Sequence, residues 1–326
     1  MELQILMKRL PLFIITAAVL ISCEKEITVE LPTTPSKVVV EGVIETGQVP
    51  IVLLSRTQSF FEPTTISGLA SLYITSATVI VSDGIVTDTL DQVCSSQLTE
   101  DQLIAAAAAT GISVDLLRQI NICAWTDLGG TMVGMEGRSY SLTVITDGRT
   151  LTSTTKVPFG IPLDSVWFKL ADQRPDDDTL GFLWGTISDP DTAGNAYRWM
   201  AKRINAGSDG DAKDASFVAP LFSTFDDRYV NGLRFDFAYN RGKVAFSSAD
   251  DDNNEESGYF KMGDTVVVKF SSIGLPENRF YESFSNNVTS QGDMFSSPAN
   301  VMSNINGGLG VWAGYGSRLD TVICGP

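Results

Sequence analysis

Short runs in which apolar and polar residues alternate make up most of the chain after its first 36 residues. The runs at residues 37–44 and 50–56 have the length and the Val, Ile and Leu content of β-strands. Two Asp-Gly pairs, Asp83-Gly84 and Asp147-Gly148, each follow an alternating run and predict the tight turns of β-hairpins. The pattern predicts a mainly β protein.

One segment departs from this pattern and predicts a helical hairpin inserted at residues 95–122. Thr99 and Gln102 have the spacing of a capping box, and an alanine-rich run follows them. Gly111 suits a left-handed helix end, and Ser113 suits the N-cap of a second short helix.

Two cysteines, Cys94 and Cys123, flank the predicted helical hairpin. In an oxidising compartment cysteines of this kind form disulfides. A bond between Cys94 and Cys123 is the favoured pairing, because it would close off one discrete element. Two free thiols, or a pairing that involves Cys324, are the alternatives that the spacing leaves open.

Two prolines, Pro158 and Pro162, mark the predicted boundary between two β-rich domains, at residues 37–158 and 163–326. The first domain, with its six or so short strands, is expected to be a sandwich of immunoglobulin or transthyretin type. The second contains further strand-like runs, among them 243–247, and one helix predicted from Pro276 to about Gln291.

The first 22 residues have the organisation of a secretion signal. Lys8 and Arg9 precede an apolar run of eleven residues at 10–20, which is too short to span a bilayer as a helix. The run ends at Ser22-Cys23, which resembles the lipobox of bacterial lipoproteins. The resemblance implies that Cys23 is lipidated and becomes the N-terminus, with residues 23–36 as a tether.

Composition and charge exclude several classes of function. The chain has 326 residues, no histidine and a formal net charge of −16, which becomes −17 after removal of residues 1–22. Catalytic triads and zinc sites that need histidine are therefore excluded. Duplex nucleic acid is a poor partner for so acidic a protein, and attachment to a membrane is expected through lipid, since anionic lipids repel it.

Acidic clusters are the only candidates for hydrolytic or metal chemistry. The run at 250–256 lacks the glycine and glutamate positions of a calcium-binding EF-hand and is interpreted as a solvated loop. Asp189-Pro190-Asp191 and Asp226-Asp227 could supply the carboxylate pair of a glycosidase, but a sequence does not show their separation. We predict no catalytic residue, no metal site and no cofactor.

Two further motifs have competing interpretations. Gly308, Gly310 and Ala313 match the dinucleotide fingerprint, but the glycines that follow prevent the required helix, so a glycine-rich terminal strand is expected. Phe60 and Phe61, which precede a predicted loop at 62–69, are either core residues or, if exposed, a contact site for a partner.

The chain as a whole resembles a large family of Bacteroidota lipoproteins of unknown function. The segments that carry the resemblance are CEKE at 23–26, VVVEGVI at 38–44, PIVLLS at 50–55, GRSYSLTV at 137–144, LDSVWF at 163–168 and SNINGGLG at 303–310. The resemblance implies a lipoprotein of the outer membrane, held either at its inner side or at the cell surface. Genes of the family often lie beside those of TonB-dependent receptors, which implies an accessory role in uptake. The resemblance implies a functional role for one residue of this chain, Cys23.

These observations predict a non-catalytic binding or accessory component of a TonB-dependent uptake system, anchored to the outer membrane by lipid. An adhesin or structural surface protein is the first alternative. A carboxylate-based hydrolase is the second, and it requires two carboxylates roughly 5–9.5 Å apart in one pocket.

Overall fold

A computed structural model describes residues 35–58, 65–172, 179–207, 210, 212–242, 256, 258–290 and 300–325. Within them the chain is mainly β. The strands are β1 (Val38–Glu45), β2 (Ile51–Arg56), β3 (Thr78–Ser82), β4 (Thr87–Thr89), β5 (Asp91–Cys94), β6 (Cys123–Thr126), β7 (Ser139–Thr146), β8 (Arg149–Lys156), β9 (Ser165–Leu170), β10 (Leu180–Ser188), β11 (Ala196–Arg203), β12 (Thr224–Asp226), β13 (Arg234–Tyr239), β14 (Phe260–Lys261), β15 (Thr265–Ile273) and β16 (Leu309–Ile323). The α-helices are α1 (Ile66–Leu72), α2 (Glu100–Thr110), α3 (Val114–Gln119) and α4 (Leu275–Ser290).

The largest sheet has eight strands in the order β12-β11-β15-β16-β1-β2-β6-β5. Neighbouring strands are antiparallel except β1 and β16, which are parallel over 39–45 and 309–315. The first and last strands of the described fold therefore lie side by side in the middle of this sheet. Strands from both predicted domains share the sheet, and the boundary near residue 160 stays a prediction.

Close approach of backbones explains a glycine at the centre of this sheet. Gly310 has φ +106°, and a Cβ atom at this position would lie 1.9 Å from the backbone oxygen of Val40. Only glycine satisfies both conditions without displacement of the strand. The segment that resembles a dinucleotide fingerprint is thus the start of the fifteen-residue strand β16, as the glycine-rich pattern predicts.

Two smaller sheets cover one face of the eight-stranded sheet, which we call the inner face. The sheet β4-β3-β7-β8 encloses one apolar core with β1, β2 and β16, and the sheet formed by β13, β10, β14 and β9 encloses a second with β11 and β15. Trp312 on β16 is fully buried in the first core and donates its indole N–H to the backbone oxygen of Tyr140 at 3.0 Å. Burial of these side chains is the main source of stability.

Helices pack on the opposite, outer face of the same sheet. The hairpin of α2 and α3 covers the end of the sheet at β2 and β6 through Leu53, Leu103 and Leu117. Helix α4 covers β11 and β16 through Phe280 and Tyr281, which pack with Met200. The sheet between these two helical elements is where the candidate site lies.

The structure confirms the mainly β class and the local predictions for the insertion. Thr99 forms a capping box with Gln102, Gly111 ends α2 with φ +76°, and Ser113 caps α3. Cys94 and Cys123 form a disulfide across the paired ends of β5 and β6.

Three further predictions from the sequence, a turn, a loop and a strand, have different outcomes. Asp147 and Gly148 both have positive φ and join β7 to β8 in a two-residue turn, as predicted. The predicted loop at 62–69 is wrong in its last part, because Thr65 caps helix α1 from residue 66. The strand predicted at 243–247 lies outside the described residues. No helix within the described ranges is long and apolar enough to cross a membrane.

Candidate functional site

Two adjoining cavities open on the outer face of the eight-stranded sheet, and together we call them the cleft. The smaller has a volume of about 210 Å³ and lies toward the end of α2, and the larger has about 600 Å³ and lies along α4. Glu41, Arg198 and Tyr281 line both cavities. These three residues, with Tyr315, form what we call the polar cluster, and it lies between the two parts of the cleft.

The alternation of β1 places Glu41 in the cleft. Val38, Val40 and Ile44 point to the inner core, so the residues between them face the opposite side of the sheet. Glu41 pairs in register with Leu53 on β2 and is accessible to the space of the cleft. It is a carboxylate near the centre of a sheet face that is otherwise mostly apolar.

The same alternation places Arg198 from β11. Its neighbours Tyr197 and Trp199 are fully buried in the inner core, and Arg198 faces outward. Its guanidinium lies over the ring of Tyr281, with Cζ 3.6 Å from the ring centre, and it donates a hydrogen bond to the hydroxyl of Tyr315. Its Nε is buried and has no hydrogen-bond partner among the described residues.

Two tyrosines complete the polar cluster. The hydroxyls of Tyr281 and Tyr315 are 2.5 Å apart and share a hydrogen bond. Desolvation raises the pKa of both side chains, against the opposing effect of the Arg198 charge, so both hydroxyls stay protonated at neutral pH. They hold the guanidinium in place from α4 and β16.

Glu41 has a different environment from Glu45, the other carboxylate of the cleft. In the part of the chain that the structure describes, its carboxylate has no hydrogen bond and no ion pair. The surrounding protein desolvates the carboxylate and raises its pKa, although the charge of Arg198 lowers it. Glu45, by contrast, accepts a hydrogen bond from the Lys269 ammonium at 3.0 Å. Glu41 is thus the carboxylate of the cleft that a ligand would find unpartnered.

The walls of the cleft come from helices and a loop. Residues 108–111, at the end of α2, line the smaller cavity, and the unpaired carbonyl groups of a helix C-terminus carry partial negative charge. Phe217 also lines this cavity and lies under the Lys269 ammonium at 4.5 Å from its ring centre. Phe280 and Phe284 of α4 line the larger cavity with stacked rings.

Helix α4 is fixed by a buried polar network at its first turn. Glu277 is 2% exposed and accepts hydrogen bonds from Thr155 at 2.7 Å and from Asn304 at 3.3 Å. The Asn304 amide also donates to the backbone oxygen of Trp312 and accepts from its N–H. The wall that carries Tyr281 is thereby attached to both β8 and β16.

Comparison with protein families identifies the family to which the chain belongs. A domain family of unknown function, DUF4249, matches residues 24–318. The chain is a member of the DUF4249 family. No curated protein matches its sequence.

The DUF4249 match begins at the residue after Cys23 and includes every residue of the polar cluster. Cys23 itself lies outside the described residues, as do Phe60 and Phe61, so their predicted roles stay predictions. The disulfide of Cys94 and Cys123 holds the ends of the insertion whose helix α2 lines the cleft. Cys324 is a buried free thiol.

Of the four carboxylates singled out in the sequence, Asp191 is exposed and the other three make contacts within the DUF4249 fold. Asp189 accepts from the Tyr197 hydroxyl at 2.5 Å and from a backbone N–H at 3.0 Å, and Asp227 accepts from two backbone N–H groups at 2.8 Å. Asp226 pairs with Arg228. These contacts support loops. The acidic run at 250–256 lies outside the described residues except for Glu256.

Sequence reasoning missed all four residues of the polar cluster, Glu41, Arg198, Tyr281 and Tyr315. A signal existed for Glu41 and Arg198, since both are single charged residues inside runs of apolar strand residues. A charge in such a position is unusual, because burial of an unpaired charge is costly, and it indicates that this face of the strand is open to solvent or to a ligand.

Proposed function

We propose that this DUF4249 protein is a lipid-anchored protein of the bacterial cell envelope that binds a ligand in the cleft and assists an outer-membrane TonB-dependent transporter. The observation that carries the proposal is the order of elements along the chain. An apolar signal run leads to Cys23, a family domain begins at residue 24, and that domain contains a cleft with an unpartnered carboxylate.

The tether would keep the cleft close to the membrane. Lys37, which lines the larger cavity, follows Cys23 by 14 residues. A segment of that length extends over at most about 50 Å. A ligand in the cleft would therefore remain within reach of a transporter embedded in the same membrane.

The anchor is tested first, with cells that express the natural chain or its Cys23→Ala variant. We expect incorporation of labelled palmitate into the natural chain and its absence in the variant, with the variant released from the membrane fraction. Labelling that persists in the variant would contradict a lipid on Cys23.

The role with a transporter is tested by purification of the native protein in mild detergent. Recovery of a TonB-dependent β-barrel together with the natural chain is the expected result. Recovery of no such barrel under any of several growth conditions would exclude the transporter role.

The two alternative functions predict different results in cells. An adhesin predicts that deletion of the gene impairs attachment and leaves nutrient uptake unchanged. A hydrolase requires two opposed carboxylates in one pocket. The carboxylates that line the cleft, Glu41 and Glu45, are four residues apart on one strand, so their Cα atoms are separated by roughly 13 Å. This arrangement favours binding.

A further inference from the structure

We propose that the cleft binds a small zwitterion with an ammonium group, a carboxylate and an apolar group, the chemistry of an apolar α-amino acid or a short peptide. The proposal rests on the binding role proposed above and specifies the chemistry of the ligand. It follows from the charges of the polar cluster and from the apolar lining of the larger cavity.

Two opposite charges face the same space without forming an ion pair with each other. Glu41 and Arg198 line both cavities, and within the described residues no ion pair joins them. Each charge is held by a different element, β1 or β11, in a sheet whose register fixes the separation. A ligand with both charges would neutralise the two groups at once, which a ligand with one charge would not.

Arg198 is suited to the carboxylate. A guanidinium has five N–H donors, and the hydrogen bond to the Tyr315 hydroxyl uses one of them. Within the described residues only Nη1 makes a hydrogen bond, and the Tyr281 ring, 3.6 Å from Cζ, holds the group in place. A carboxylate that reaches the remaining N–H groups would form charge-assisted hydrogen bonds, which are the stronger class.

Glu41 is suited to the ammonium group. Its carboxylate lacks a partner, and the last turn of α2 at residues 108–111 adds the negative end of a helix dipole to the same cavity. An ammonium group would give this carboxylate the charged partner that the described residues do not supply.

The larger cavity is suited to the apolar group. Its lining includes five apolar side chains, and its volume of about 600 Å³ lies within the usual range for small-molecule sites. The apolar side chains are Val39, Phe280, Phe284, Val301 and Leu309. This volume exceeds the need of a single amino-acid side chain, so a peptide of two or three residues would fill it better than a free amino acid.

Calorimetric titration of the purified lipidated chain in mild detergent tests the proposal with one scaffold in three forms. The probes are the dipeptide Phe-Leu, its N-acetyl derivative, which lacks the ammonium group, and its amide, which lacks the carboxylate. Each blocked form is expected to bind more weakly than the free dipeptide, by a factor of at least about ten in Kd. Titration with L-phenylalanine distinguishes a free amino acid from a peptide as the better ligand.

The Glu41→Gln variant tests whether Glu41 is the residue that binds the ammonium group. In this variant the free dipeptide and the N-acetyl form should bind with affinities within about twofold of each other. Asp115→Asn, at an exposed position on α3 outside the cleft, removes the same unit of charge and should leave the preference for the free dipeptide intact.

Two results would overturn the proposal. One is equal affinity for the free and both blocked forms, and the other is the absence of binding by any zwitterion to a folded chain. If zwitterions fail to bind while a transporter still co-purifies, the ligand class is wrong and the proposed function stands. If zwitterions bind and no transporter co-purifies, the transporter role is wrong and the ligand class stands.

Discussion

Reduction of the Cys94–Cys123 disulfide is expected to lower the free energy of unfolding by about 3.6 kcal/mol. The two cysteines are separated by 29 positions, and the bond closes a loop that contains α2 and α3. In the chain-entropy model, a cross-link of this span removes about 12 cal/mol/K from the entropy of the unfolded chain. The predicted loss is the product of that entropy and the temperature.

Reduction of the natural chain measures the effect of the cross-link alone, whereas substitution of the cysteines does not. Cys123 is fully buried in the inner core, so its replacement by alanine also removes buried sulfur, at a cost of about 1 kcal/mol. Reduction of the natural chain leaves both sulfur atoms in place. The loss in the Cys94→Ala/Cys123→Ala variant should therefore exceed the loss on reduction, and a reductant should have no further effect on that variant.

Equilibrium unfolding in guanidinium chloride, with and without dithiothreitol, measures the change. Tryptophan fluorescence follows the global transition, since several of the five tryptophans, Trp125 on β6 among them, are buried. Hydrogen exchange of peptides from 95–122 shows whether the insertion opens first. A Cys324→Ala variant is the matched control and should respond to reductant as the natural chain does. A loss below about 1 kcal/mol after complete reduction would refute the entropic argument.

Three other changes test separate features of the fold. Gly310→Ala should destabilise the protein by roughly 3 kcal/mol or more, because a Cβ at this position meets the backbone of Val40. Gly84→Ala is the control: Gly84 also has positive φ but lies in open space, so the substitution should cost only about 1 kcal/mol. Thermal unfolding measures both changes. Burial raises the pKa of the Cys324 thiol to about 12, so a thiol reagent at pH 8 should label it only after unfolding. Burial also raises the pKa of Glu277, so the contribution of this residue to stability should fall as pH rises through that pKa. The melting temperature of Glu277→Gln should therefore rise relative to that of the natural chain between pH 4 and pH 8.

Local signals in the sequence were sufficient for the elements that local interactions determine. The capping box at Thr99, the helix end at Gly111 and the turn at Asp147-Gly148 depend on residues within a few positions of one another. The disulfide could be predicted because the two cysteines enclose one such element. Short strands such as β4 and β12, with three residues each, are too short for an alternating pattern to be recognised.

Pairing between distant strands could not be predicted in the same way. Val39 of β1 pairs with Leu309 of β16, and nothing in either segment specifies a partner 270 positions away. The glycines of 307–316 were a signal that another backbone approaches closely, but a glycine does not identify which one. The match to a dinucleotide fingerprint arises from this packing requirement.

The cleft depends on these distant pairings, and this dependence explains why sequence reasoning did not locate it. Glu41 comes from β1, Arg198 from β11 and Tyr281 from α4, and they converge only because β16 lies between β1 and β15. A change at the β1–β16 junction, such as Gly310→Ala, should therefore disturb ligand binding as well as stability. Central strands have neighbours on both sides, so side chains on their outer face are held at a fixed separation. A site that must present two opposite charges without letting them pair requires this rigidity, and the middle of the eight-stranded sheet provides it.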